Sequence, residues 1–69
     1  MMVIFEDVET EVILSEMVFD SVKEAKLFLE MIEEHGLDFD GAPYEHSVIF
    51  EPSAKAFIVC MEPMDGRKK

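Results

Sequence analysis

The 69-residue chain carries 16 Asp and Glu against six Lys and Arg, a formal net charge of −10, yet 49% of its residues are apolar and six are Phe. That length excludes more than one small domain, which buries only about 60% of the surface its unfolded chain exposes, and the apolar content excludes a disordered acidic tail. The charge argues against direct contact with nucleic acid or anionic membranes, which such a surface repels at long range, and points to a basic partner.

The opening "MMVIFEDVE" lacks a basic region and turns acidic after five residues, unlike a signal peptide. No apolar run approaches the roughly 20 residues of a membrane span, so a cytoplasmic protein is expected. Residues 2–6, "MVIFE", read as a strand, and "DVET" connects it to a second strand at about 11–19, "EVILSEMVF". The connection lacks an Asn-Gly or Asp-Gly hairpin signal. Ser21, three residues before Glu24, makes an S-x-x-E capping box and starts a helix. Val22, Ala25, Phe28, Leu29 and Ile32 form its apolar stripe, and Gly36 supplies a left-handed stop. Residues 37–45 read as a loop. Two strands follow, "HSVIF" (46–50) and "AKAFIVCM" (54–61), joined by "EPSA" with Pro52 at a position that suits a turn. Residues 64–69 form a flexible basic tail. A lone cysteine, Cys60, permits no internal disulfide and reads as a buried strand thiol in a reducing compartment.

The expected fold is therefore a single α+β domain over residues 1–63, in the order β-β-α-β-β, with one helix on one face of a mainly antiparallel sheet. Both parities of the second and last strands are apolar, whereas one helix covers one face. The other face needs a cover, and self-association supplies it: a homodimer through Ile13, Met17, Phe19, Phe57 and Val59 is expected. A strongly curled sheet closing on itself is the alternative.

Connectivity places the charges. The helix must run back toward the first hairpin turn, so its C-terminus shares an end of the domain with that turn. Glu6, Asp7, Glu9 and Glu11 then meet Glu30, Glu33, Glu34, Asp38 and Asp40, with Glu45, Glu62 and Asp65 nearby. Lys23, Lys26 and Lys55 fall at the opposite end. Both helix ends oppose the macrodipole, at about 0.3–1 kcal/mol per exposed charge. Residues 1–66 hold 16 acids against those three lysines, a net charge of −13. A domain this size has a radius of gyration near 11 Å and a diameter of about 28 Å, a length over which duplex DNA carries about 16 charges. The plain reading of such a surface is solubility.

Catalytic and metal signatures are missing. "DFDG" (38–41) starts like a calcium loop, but Pro43 stands where the pattern needs Gly and Ala42 replaces the third ligand. His35, His46 and Cys60 have no zinc spacing, and neither a phosphate loop nor a nucleophile elbow occurs. No cofactor, metal or enzymatic activity is expected.

In size, in its 16-to-6 acid-to-base ratio and in the carboxylate rows "EDVETE" and "EMIEEHGLDFD", the chain resembles small acidic phage host-takeover proteins. These include DNA mimics that occupy the DNA-binding surfaces of nucleoid proteins or RNA polymerase. The resemblance implies a non-enzymatic inhibitor in which Glu30, Glu33, Glu34, Asp38 and Asp40, aided by Glu6, Asp7, Glu9 and Glu11, stand in for phosphates. The basic "GRKK" ending departs from a pure mimic. Two other readings fit the same residues: an immunity or antitoxin protein against a basic nuclease, and a regulatory module that binds through an apolar sheet face.

Overall fold

The computed structural model describes residues 1–39 and 41–64. Asp40 and residues 65–69, which include Asp65 and the basic end of the expected tail, lie outside them. The elements are β1 (Met2–Asp7), β2 (Val12–Val18), α1 (Val22–His35), β3 (Leu37–Phe39), β4 (Ala42–Glu51) and β5 (Ala56–Pro63). Among the described residues, no helix is long and apolar enough to cross a membrane.

The expected β-β-α-β-β domain on a mainly antiparallel sheet is not what forms. Strand dominates, and the sheet is a curled, mixed one of five strands in the order β2-β1-β5-β4-β3. β1 and β5 pair in parallel at its centre, flanked by antiparallel β2 and β4. The additional strand, β3, occupies part of the expected loop and pairs Leu37 with Tyr44 and Phe39 with Ala42. β4 accordingly starts four residues earlier than the sequence suggested. Pro43 is tolerated there because its missing N–H falls beyond the last β5 pair, Tyr44 with Pro63, while its carbonyl accepts from the Met64 N–H at 3.2 Å. That bond ties Met64, expected to begin the tail, to the sheet.

The helix begins as expected: the Glu24 N–H donates to Ser21 Oγ at 3.2 Å, and the stripe turns inward. Ala25 and Ile32 are buried. They meet Val3 and Phe5 of β1, Val59 and Met61 of β5, and Leu37 of β3 in one core. Ala25 has no bulk beyond Cβ, and complete burial there lets the helix approach the two central strands. Phe28 stands edge-on to Phe5 with ring centroids 6.1 Å apart and lies 5.3 Å from Phe19. Such pairs are worth about 0.5–1.5 kcal/mol beyond their burial.

The helix stops at Gly36, whose N–H donates to the Ile32 carbonyl at 2.8 Å. Its backbone is not left-handed helical. At φ 89° and ψ 164° it occupies a region essentially reserved for glycine, and sends the chain straight into β3. A Cβ there would meet nothing within 4 Å, so substitution incurs a backbone cost alone. Gly36→Ala is expected to destabilise the domain by about 1–3 kcal/mol, seen as a lower urea midpoint at unchanged slope. An unchanged midpoint would contradict this assignment.

The expected dimer interface does not exist as a single surface. β2 carries a bulge opposite Phe5 and Glu6: Ser15 pairs with Phe5, but Ile13 pairs with Glu6. Leu14 is the extra residue, and a one-residue insertion flips the facing of everything beyond it. Ile13 thus lies on the open face, while Met17 pairs with buried Val3 on the helix side. Val59 is completely buried beneath the helix, and Phe19 and Phe57 pack against the core. The five residues belong to two sides of the sheet.

The second apolar face is nevertheless present. Ile13, Val18 and Ile49 on it are 53%, 77% and 51% exposed, and Ile4, Ile58 and Cys60 are half-buried beside them. Cys60 is a free thiol, less enclosed than the buried strand thiol expected.

Candidate functional site: an acidic end

Strand directions decide which carboxylates meet. β1 and β5 run the same way, so Asp7 and Glu62 finish at one end. β4 and β2 run oppositely, so Glu45 starts and the β1–β2 turn lies at that end too. The helix, following β2, ends there with Glu33 and Glu34, and β3 adds Asp38. Lys23, Lys26 and Lys55, at the helix start and the β4–β5 turn, lie toward the other.

The end is a band across the sheet, not a compact spot. Four inter-strand steps of about 4.8 Å give it a width of roughly 19 Å. Glu9 and Glu11 occupy the β2 corner, and Asp38 the β3 corner. Between them, on the open face, runs a diagonal of four carboxylates on four adjacent strands. Glu6 on β1 pairs with Cys60, two residues before Glu62 on β5. Glu62 pairs directly with Glu45 on β4, and Asp38 on β3 pairs with Pro43, two residues before Glu45. Directly opposed residues sit about 5 Å apart and diagonal ones about 7–8 Å apart. Like charges directly opposed across strands repel, and Glu45 and Glu62 are one such pair.

The individual candidates divide. Glu9, Glu11, Glu33, Glu34 and Asp38 are exposed at this end, and Glu6 is half-buried. Asp7 is buried, its Oδ1 accepting from the Glu9 N–H at 2.9 Å and the Thr10 N–H at 3.3 Å. It builds the turn that presents Glu9 and Glu11, and does not itself face a partner. Glu11 holds a left-handed backbone, φ 61°, where glycine or asparagine would be at ease. Glu30 and Glu33 line a groove of about 420 Å³ between the helix and β4, with Lys26, Leu29, His46, Ser47 and Val48. Glu30 there shares a wall with Lys26. Asp40 lies outside the described residues.

Sequence reasoning put Glu45 and Glu62 at this end but not among the contact residues. Their alternation with Tyr44, His46, Met61 and Pro63 was the available signal, once β4 is started at Ala42. Among the described residues, no group of three or more His, Cys, Asp and Glu is placed to hold a metal ion.

No protein-family model, curated protein or solved structure matches this chain. The resemblance to acidic phage proteins therefore rests on size and charge pattern alone.

Proposed function

We propose that this chain is a non-enzymatic inhibitor that lays its acidic end on the basic, nucleic-acid-binding surface of another protein. The observation that carries this reading is the segregation of charge. Nine of the acids, Asp7 with its turn-building role among them, share one end of the domain, and the three lysines of the described region lie toward the other. The domain is longer than its size suggested, with Cα extents of 39 × 25 × 17 Å and a radius of gyration of 12.1 Å. A uniform spread of charge would fall short of duplex density. Across the band's width of roughly 19 Å, nine acids approach the about 11 charges duplex DNA carries over that length.

The diagonal Glu6, Glu62, Glu45 and Asp38 supplies a flat row of carboxylates, and Glu9, Glu11, Glu33 and Glu34 extend it at either side. Such a surface recognises Lys and Arg clusters by charge and not by shape, so its affinity falls as salt screens the pairs. The test has two stages. The chain, immobilised, should capture a basic DNA-binding protein from host lysate at low salt and release it at high salt. The captured protein should then shift a labelled DNA duplex alone, and fail to shift it with the chain present. Capture that survives high salt, or duplex binding undisturbed by the chain, would sink the proposal.

A further inference from the structure

We infer that the outer edge of β4 is a self-pairing edge, through which two copies of the chain join antiparallel about Ile49 into one continuous ten-stranded sheet. β5 pairs with β4 from Tyr44 to Glu51, but on the outer side β3 reaches only Ala42–Tyr44. Beyond Tyr44, no strand among the described residues pairs with that edge. The Met64 N–H bond to the Pro43 carbonyl fixes the alternation. Odd-numbered residues of β4 direct their backbone groups toward β5, and His46, Val48 and Phe50 direct theirs outward.

The exposed edge carries the sequence His-Ser-Val-Ile-Phe, with no acidic residue, lysine or arginine, no glycine, no proline and no bulge. Val48, Ile49 and Phe50 are 39%, 51% and 49% exposed. An apolar edge without these breaks is a template for another strand, here flanked on the helix side by Lys26, Glu30 and Glu33 across the groove. The opposite edge of the sheet, β2, is protected by its bulge at Leu14 and by Glu16. One self-pairing edge gives a closed pair, whereas two would give a fibre.

Three features select a second copy as the occupant. First, a two-fold axis at Ile49 matches like with like: Ile49 meets Ile49 on the open face, and Val48 meets Phe50 twice on the helix side. The Val48–Phe50 pairs are the bonded ones, with four backbone hydrogen bonds, and Ile49 is the close, non-bonded pair. Second, the length fits. The incoming strand ends at Pro52, level with His46, so its turn comes up to the start of β3 at Leu37, level with Tyr44. Third, antiparallel pairing sets unlike ends together. Lys55, on the β5 side of the β4–β5 turn, approaches Asp38 and Glu45 of the other copy, while Glu51 comes opposite its Ser47. Lys55 holds a left-handed backbone, φ 52°, at that position. A parallel arrangement would set the acidic ends against each other.

The pairing needs no third molecule, and it touches the acidic row only at Asp38 and Glu45. Sedimentation of the full chain should give twice the 7.9 kDa chain mass. Val48→Pro removes an outward N–H and leaves the β5 ladder whole, and should halve that mass while retaining the wild-type circular dichroism. Ile13→Lys, on the open face away from the edge, should stay dimeric. In a Cys60→Ser background, Ile49→Cys should form an intermolecular disulfide on mild oxidation and Ile13→Cys should not, a readout that holds even if Val48→Pro fails to fold. A wild-type monomer, a dimer that survives Val48→Pro, or a dimer lost in Ile13→Lys with no crosslink at Ile49→Cys would each overturn the inference.

Discussion

Val59→Asp is expected to leave no folded protein, with far-UV circular dichroism of an unfolded chain at room temperature. Val59 has no exposed surface. It lies between Phe5 of β1 and Val48 of β4 on the helix side of the sheet. A carboxylate there loses its hydration without gaining a partner, an effective penalty of several kcal/mol per ion, added to about 1.5–3 kcal/mol of lost side-chain burial. A domain of this length has a total stability of about 3–10 kcal/mol, from roughly 0.05–0.15 kcal/mol per residue. The penalty consumes most or all of it. Ile13→Asp, at a site 53% exposed on the opposite face, should shift stability by no more than about 0.5 kcal/mol. Strand alternation had grouped these two residues on one interface, so the contrast tests the observed sidedness directly. Wild-type melting of Val59→Asp would mean the helix does not cover β1 and β5.

The helix was legible because its signals are local: a cap at Ser21, a stripe at helical spacing and a glycine after His35. β1, β2 and β5 were legible to within a few residues for the same reason. β3 was not, because three residues cannot display alternation and Leu37–Phe39 is a strand only by virtue of its pairing with Ala42–Tyr44. The parallel pairing of β1 with β5 joins segments about fifty residues apart and has no turn to announce it. The near-continuous apolar run of β5, "AFIVC", was the available hint, since a central strand with parallel pairing tends to read that way. The bulge at Leu14 left no mark in composition, yet it reverses which side of the sheet Ile13 occupies relative to Met17. The acidic end was legible as an end, because chain direction alone decides which termini coincide. Its breadth was not. Only the order β2-β1-β5-β4-β3 separates Glu11 from Asp38 by the width of the sheet and sets Glu6, Glu62, Glu45 and Asp38 in a diagonal.

Neutralising the helix-end acids should move stability and binding in opposite directions. In the variant Glu33→Gln, Glu34→Gln, Asp38→Asn, two carboxylates are removed from a helix C-terminus, where each opposes the macrodipole by about 0.3–1 kcal/mol. Removing Asp38 also relieves repulsion along the row it shares with Glu45. The variant should therefore melt higher than wild type. If the acidic end meets a basic partner, the same change removes three exposed ion pairs of about 0.5–1 kcal/mol each, and affinity for the captured protein should fall roughly 10- to 100-fold. Glu16→Gln and Asp20→Asn, away from that end, should leave affinity nearly unchanged. A surface that serves solubility alone predicts the gain in stability without the loss of binding. Residues that weaken the fold where they stand yet strengthen a complex are the pattern expected of a binding surface retained against stability. A variant that is both more stable and equally competent would assign these carboxylates to solvation.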